Sequence, residues 1–150
     1  MTSVACSADL LIDSFDDISG WSGSVIAQGT APGHPVQEGT GSLVADYTPY
    51  GSDNYHINRY VSLDLSPAVI GASEAAISLW MWIGKMTVTA RLDWLCFETS
   101  PGHHFEYDPQ PWNYTLPIGW NQLLIAQSSF TVAGSPDWSN ITNIRIFTSA

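Results

Sequence analysis

The sequence predicts an all-β protein, a two-sheet antiparallel β-sandwich in a single domain. Three observations carry that expectation. Helical periodicity is almost absent from the chain. Short runs rich in β-branched and aromatic residues recur throughout, bounded by Gly, Pro, Asn, Asp and Ser. Finally, 150 residues with 45% hydrophobic content suffice for one packed core without help from disulfides or metal.

The first expected strand, Asp9–Phe15, follows an N-terminal arm over residues 1–8. Ser22–Ala27 and Ser42–Thr48 come next, separated by a loop that Ala31-Pro32-Gly33 marks. In Tyr55–Leu65 residues two apart share a face, so His56, Asn58, Tyr60 and Ser62 oppose Ile57, Val61, Leu63 and Leu65. Arg59 falls on the apolar parity, a conflict that a bulge or a strand end would relieve. Ala75–Gly84 turns Ile77, Leu79, Met81 and Ile83 toward a core and Ser78, Trp80 and Trp82 away from it. Ile83-Gly84-Lys85-Met86 reads as a tight hairpin into Thr87–Thr99. There Val88, Ala90, Leu92, Trp94 and Cys96 form the core set, opposed by Thr89, Arg91 and Asp93. His103–Asp108, Asn121–Ala126 and Thr142–Thr148 complete nine strands, with Ser135-Pro136-Asp137 marking the loop before the last. Nine strands of this length fill one sandwich, and no linker or repeat divides residues 9–150.

Charge and composition narrow the function classes. Four Lys+Arg against 14 Asp+Glu give 4 − 14 = −10, which argues against binding nucleic acid through phosphate contacts. Seven Trp, six Tyr and five Phe are too much apolar surface for a disordered chain. The longest apolar runs, such as Ile77 to Ile83, fall far short of the roughly 20 residues of a membrane helix, so no membrane insertion is expected. The first nine residues hold no basic start and no apolar run long enough for a secretory signal. Acids concentrate in the first 75 residues, where Arg59 alone faces nine of them; that density suits either a hard cation or a solvated surface. Cys6 and Cys96 fit neither a CxxC nor a zinc-spaced set; they either pair with each other or stand as two inert thiols.

Catalytic signatures are missing. There is no GxSxG elbow, no phosphate-cradling glycine loop and no HExxH. Glu106 and Asp108 are close in sequence, but an acidic chain produces such pairs without glycosidase chemistry. His103 and His104 face opposite ways on a strand, so only one of them joins Glu106 on a face. Low charge with many aromatic residues points to recognition rather than turnover, and the chain is expected not to be an enzyme.

Three segments carry a family resemblance: Leu11-Ile12-Asp13-Ser14-Phe15-Asp16-Asp17-Ile18-Ser19-Gly20-Trp21, Glu38-Gly39-Thr40-Gly41-Ser42-Leu43 and Ile118-Gly119-Trp120-Asn121-Gln122-Leu123. Together they resemble jelly-roll carbohydrate-binding modules. The tail from Gly134 to Ile146, GSPDWSNITNIRI, looks like the last loop and strand of such domains, including those of phage structural and tail proteins. The likeness runs from about Leu10 to Phe147 and specifies the fold better than the ligand.

The resemblance implies a structural calcium ion, with carboxylates from Asp16 and Glu38, carbonyls near Ser14 and Gly41, and Asn143 where such modules often place an acid. It also gives the mixed polar and aromatic face a role as a sugar platform. Aromatic rings suit the C–H faces of pyranoses, and Arg, Asp, Asn and Tyr direct hydrogen bonds to hydroxyls. The expected platform is Trp80, Trp82, Arg91, Asp93, Asn58 and Tyr60, rimmed by Trp112 and Tyr114 of an exposed loop. Trp21, Trp120 and Trp138, which lie in the fold-bearing motifs, are expected to pack.

The expected function is non-catalytic. A carbohydrate-binding-module-like protein would serve a phage virion as a capsid decoration or cement protein or as a tail adhesin. Its partners would be a polysaccharide or cell-surface glycan, capsid or tail proteins, or a second copy of itself. The alternative is an extracellular carbohydrate-binding module of a secreted polysaccharide-degrading enzyme.

Overall fold

A computed structural model of the chain describes residues 10–23, 26–37, 39–45, 55–66, 75–83, 91–109 and 116–149. Ten strands are described: β1 (Trp21–Gly23), β2 (Ile26–Gly29), β3 (Ser42–Ala45), β4 (Tyr55–Leu63), β5 (Ala76–Ile83), β6 (Arg91–Ser100), β7 (His103–Tyr107), β8 (Gly119–Ala126), β9 (Thr131–Ala133) and β10 (Ile141–Ser149). A single 3₁₀ turn, Gln127–Ser129, joins β8 to β9, and no α-helix occurs among the described residues. The protein is all-β, as expected, and every pairing is antiparallel.

Six strands form one sheet in the order β1-β4-β10-β6-β7-β9, while β5 pairs with β8 and β2 with β3. The large sheet and the β5–β8 pair face each other. Ile57, Leu95, Phe97, Phe105, Ile144 and Ile146 of the former meet Ile77 and Ile125 of the latter, with Leu79, Met81 and Leu123 packed against them. Burying such side chains stabilises the domain by about 1.5–3 kcal/mol each. Trp138 closes the core beside β7, stacked on Phe105 at 3.9 Å and 7° and set edge-on to Phe130. Trp21 is buried as well, so the packing expected of these two tryptophans is present.

Several expected elements differ. Residues 10–20 form no strand, because their own carboxylates compete for the backbone. Asp13 Oδ1 accepts the Phe15 N–H at 2.7 Å and Asp17 Oδ1 accepts that of Ser19 at 2.8 Å, which folds the segment into turns. The expected strand Ser22–Ala27 is two strands in different sheets, β1 ending at Gly23, whose φ of 151° suits only glycine. Among the described residues β5 and β6 lie in different sheets, and the hairpin expected at Ile83-Gly84-Lys85-Met86 falls on residues 84–90, outside the described set. Arg59 keeps the core-side parity, opposite Trp21 and Ile144, without a bulge at its own position. An ion pair with Asp13, which also accepts the Trp21 indole N–H at 2.7 Å, compensates its charge there.

The face assignment of β6 is the reverse of the expected one. Leu95 and Phe97 enter the core, and Trp94, Cys96 and Glu98 face away. Trp94, Leu95, Cys96 and Phe97 are all apolar, so alternation alone leaves the strand's facing ambiguous. Pairing with β10, whose Ile144 and Ile146 are core residues, decides it. A register shift at Phe147–Thr148 then separates Arg91 and Leu92 from the regular ladder.

Candidate functional site

The outward face of the six-stranded sheet is a grid in which cross-strand partners point the same way. One row crosses all six strands: Ser22, Asn58, Arg145, Cys96, Glu106 and Thr131. At about 4.8 Å per strand it spans about 24 Å. The adjoining row reads Tyr60, Asn143, Glu98, His104 and Ala133. On the other side Trp94 sits against Phe147, ring centroids 4.6 Å apart.

At the centre of this grid lies a buried polar network. Glu98 and Asn143, at 8% and 3% exposure, are the buried charged and polar residues of the described chain. Arg145 Nη2 donates to Glu98 Oε2 at 2.6 Å, and Asn143 Nδ2 donates to the same oxygen at 3.1 Å. The Thr142 hydroxyl reaches the carbonyls of Glu98 and Thr99, locking the strand ends together. Asn143 Oδ1 is buried without a partner among the described residues. Leaving such an acceptor unpaired costs about 1–3 kcal/mol. Glu98 thus orients two neighbours, the half-exposed Arg145 and the buried Asn143.

The surroundings mix rings with polar groups. Tyr60, opposite Asn143, is 79% exposed. Asn58 and Ser22 hold each other side by side, the hydroxyl donating to Asn58 Oδ1 at 3.1 Å. His104 Nε2 stands 3.5 Å from Glu106 Oε2, whereas His103 turns the other way and accepts the Ser135 N–H on Nδ1. Cys96 is free and buried beneath these groups, and burial pushes its thiol up to about 12.

The opposite outward face, on β5–β8, is different in kind. Trp80 and Trp82 point away from the core, as their alternation with Ile77 and Ile83 requires. Trp120, expected to pack in the core, lies beside them directly opposite Trp82. The three indoles form an edge-to-face cluster, Trp82–Trp120 at 5.6 Å and 68°, Trp80–Trp120 at 6.5 Å and 85°. Gln122, opposite Trp80, donates to Ser78 at 3.1 Å, and Leu124 completes the face.

The expected sugar platform is therefore divided between two opposite faces. Asn58 and Tyr60 belong to the large sheet and Trp80 and Trp82 to the small one. Arg91 and Asp93 lie on β6 of the large sheet, and Trp112 and Tyr114 fall outside the described residues. Sequence reasoning missed Glu98, Arg145 and Trp94 on the large face and Trp120 on the small one. Asn143-Ile144-Arg145-Ile146 alternates polar and apolar, and that signal could have found Arg145 and Asn143 as partners on one face.

Of the residues expected to hold calcium, Ser14, Asp16 and Gly41 are neighbours, and Asn143 is held separately on β10. Asp16 Oδ1 accepts the backbone N–H groups of Thr40 and Gly41 and the Thr40 hydroxyl. The Thr40 amide, aided by Ser14, holds the Asp16 carboxyl below its usual range. Gly39 at φ 71° lets the loop close over Asp16, whose Oδ1 would lie 2.5 Å from any added Cβ. Ser14 and Gly41 stay with Asp16, Asn143 is held on β10 by Glu98, and Glu38 lies outside the described residues. No group of three or more His, Cys, Asp or Glu able to hold a metal occurs among the described residues.

No family model matches the chain, and neither a curated protein nor a solved structure matches it. The functional reading accordingly rests on the geometry of the two faces and on the motifs of the sequence.

Proposed function

We propose that this protein is a non-catalytic glycan-recognition module that binds sugar on the outward face of its six-stranded sheet. The observation that carries this reading is the buried Glu98–Asn143–Arg145 network beside the exposed ring of Tyr60. Sugar rings offer an apolar C–H face for stacking and adjacent hydroxyls that both donate and accept. The face offers the complement: an exposed ring at Tyr60 and a half-exposed guanidinium at Arg145. Glu98 is committed to its two neighbours, which suits a positioning role rather than proton transfer to a ligand. The likeness of residues 134–146 to the closing segment of phage tail and structural proteins supports placing the module on a virion, as a head decoration or a tail adhesin.

A glycan-array screen of the whole chain, followed by titration of any hit, tests the proposal. Tyr60→Ala is expected to weaken binding tenfold or more with an unchanged melting temperature, since its side chain is mostly exposed. An array with no specific binding, or a hit whose affinity survives both Tyr60→Ala and Asn58→Ala, overturns it.

A further inference from the structure

A second exposed ring stands on the large-sheet face. Trp94 of β6 points outward with Cys96 and Glu98 and is 38% exposed. The indole rests against Phe147 of β10, ring centroids 4.6 Å apart at 59°, and Phe147 is itself buried. A ring braced in this way keeps a fixed direction while part of its surface stays in water.

The outward residues of β10 run Asn143, Arg145, Phe147, and the two rings flank this series. Tyr60 of β4 lies opposite Asn143, and Trp94 of β6 lies opposite Phe147. They stand on either side of β10 and four residues apart along it, with Arg145 at the midpoint of the diagonal. Two strand spacings of about 4.8 Å and four rises of about 3.4 Å put them about 17 Å apart. Cys96, Glu98 and Asn143 are buried between them, and the guanidinium of Arg145 is half-exposed there.

We propose that Tyr60 and Trp94 are the two ends of one binding track, and that its ligand is an extended oligosaccharide chain lying diagonally across β10 rather than a single terminal sugar. No single pyranose ring reaches across about 17 Å, whereas a chain presents a C–H face and hydroxyls again at every unit. Units at the two ends stack on Tyr60 and Trp94. The units between pass over Arg145, whose guanidinium carries more N–H donors than its bond to Glu98 uses. This inference rests on the proposal that the large-sheet face binds glycan, and adds to it the extent of the ligand and a stacking role for Trp94.

A glycan array that includes homo-oligosaccharides of glucose, mannose, galactose and N-acetylglucosamine in graded lengths tests it on the whole chain. Whichever glycan binds is then titrated as fragments of rising length, from its monosaccharide upward. Affinity is expected to rise by about tenfold or more with length and to level off once the fragment covers both rings. Trp94→Leu keeps an apolar side chain against Phe147 but has no flat ring. It is expected to abolish the gain with length and to change the affinity of the monosaccharide, seated at Tyr60, by less than about twofold. Fragments that bind no better than the monosaccharide overturn the inference, as does a gain with length that survives Trp94→Leu. Both results leave glycan recognition standing, whereas an array without specific binding overturns the two together. Should Trp94→Leu fail to fold, the wild type decides by NMR. The Trp94 indole N–H resonance is expected to shift with the longest fragment and not with the monosaccharide, and a resonance unmoved by both overturns the inference.

Discussion

The two outward faces of the sandwich share one core and use opposite chemistry. On the six-stranded side, polar groups are fixed from below: Glu98 and Asn143 are buried, and Arg145 is steered by the carboxylate beneath it. On the β5–β8 side, neither strand carries a charged residue and the indoles hold one another edge to face. The first face is costly to build and specific, since each group has a fixed direction. The second is cheap and tolerant, since apolar contact lacks direction. A small β-domain can thus give each sheet an outer surface of its own chemistry, one directional and polar and one apolar.

The largest test removes what both faces share. Phe97→Ala empties the centre of the core and is expected to cost about 3–5 kcal/mol in urea unfolding, with both faces lost in one transition. Two separate transitions would mean that the faces belong to independently folding parts. Next comes Glu98→Ala, which deprives Arg145 and Asn143 of their common acceptor and is expected to cost about 1–3 kcal/mol. The same measurement on Ser78→Ala, in the exposed Gln122 contact, should show less than about 0.5 kcal/mol. Equal losses would erase the contrast between a wired face and a tolerant one.

The smallest effect concerns pH. Cys96 lies beneath the polar face with its thiol pushed from 9.0 up to about 12 by burial. A raised thiol pKa means that the unfolded chain releases its proton first, so stability is complete below about pH 9 and declines as pH rises toward 12. The difference in melting temperature between the wild type and Cys96→Ala should therefore shift in the variant's favour across that window. Rapid alkylation of native Cys96 at pH 8 would show instead that the face is open beneath Arg145.

Much of the scaffold was legible from alternation. Tyr55–Leu65 and Ala75–Gly84 place their apolar residues as the pattern requires, because each strand has one clearly apolar parity. β6 was not legible, since four consecutive apolar residues satisfy either facing and only its neighbour β10 decides. The candidate site was harder to read for the same reason at a larger scale. Which strands share a sheet is a long-range property, and Asn58 and Trp80 look alike in sequence although they end on opposite surfaces. Trp120 shows the limit most clearly: its motif suggests packing, and only its register with Trp82 puts it outside.

The position of β10 has a consequence for how the chain comes into being. It follows every other described strand in sequence, yet it lies between β4 and β6 and joins the β1–β4 pair to the β6–β7–β9 half. While the polypeptide is emerging from the ribosome, these two halves have no ladder between them. β4 and β6 then each offer a row of unpaired backbone groups to any neighbouring nascent chain. The sheet is continuous only once β10 is in place, and only then does Arg145 reach Glu98. The polar face is thus incomplete until β10 has been made and docked.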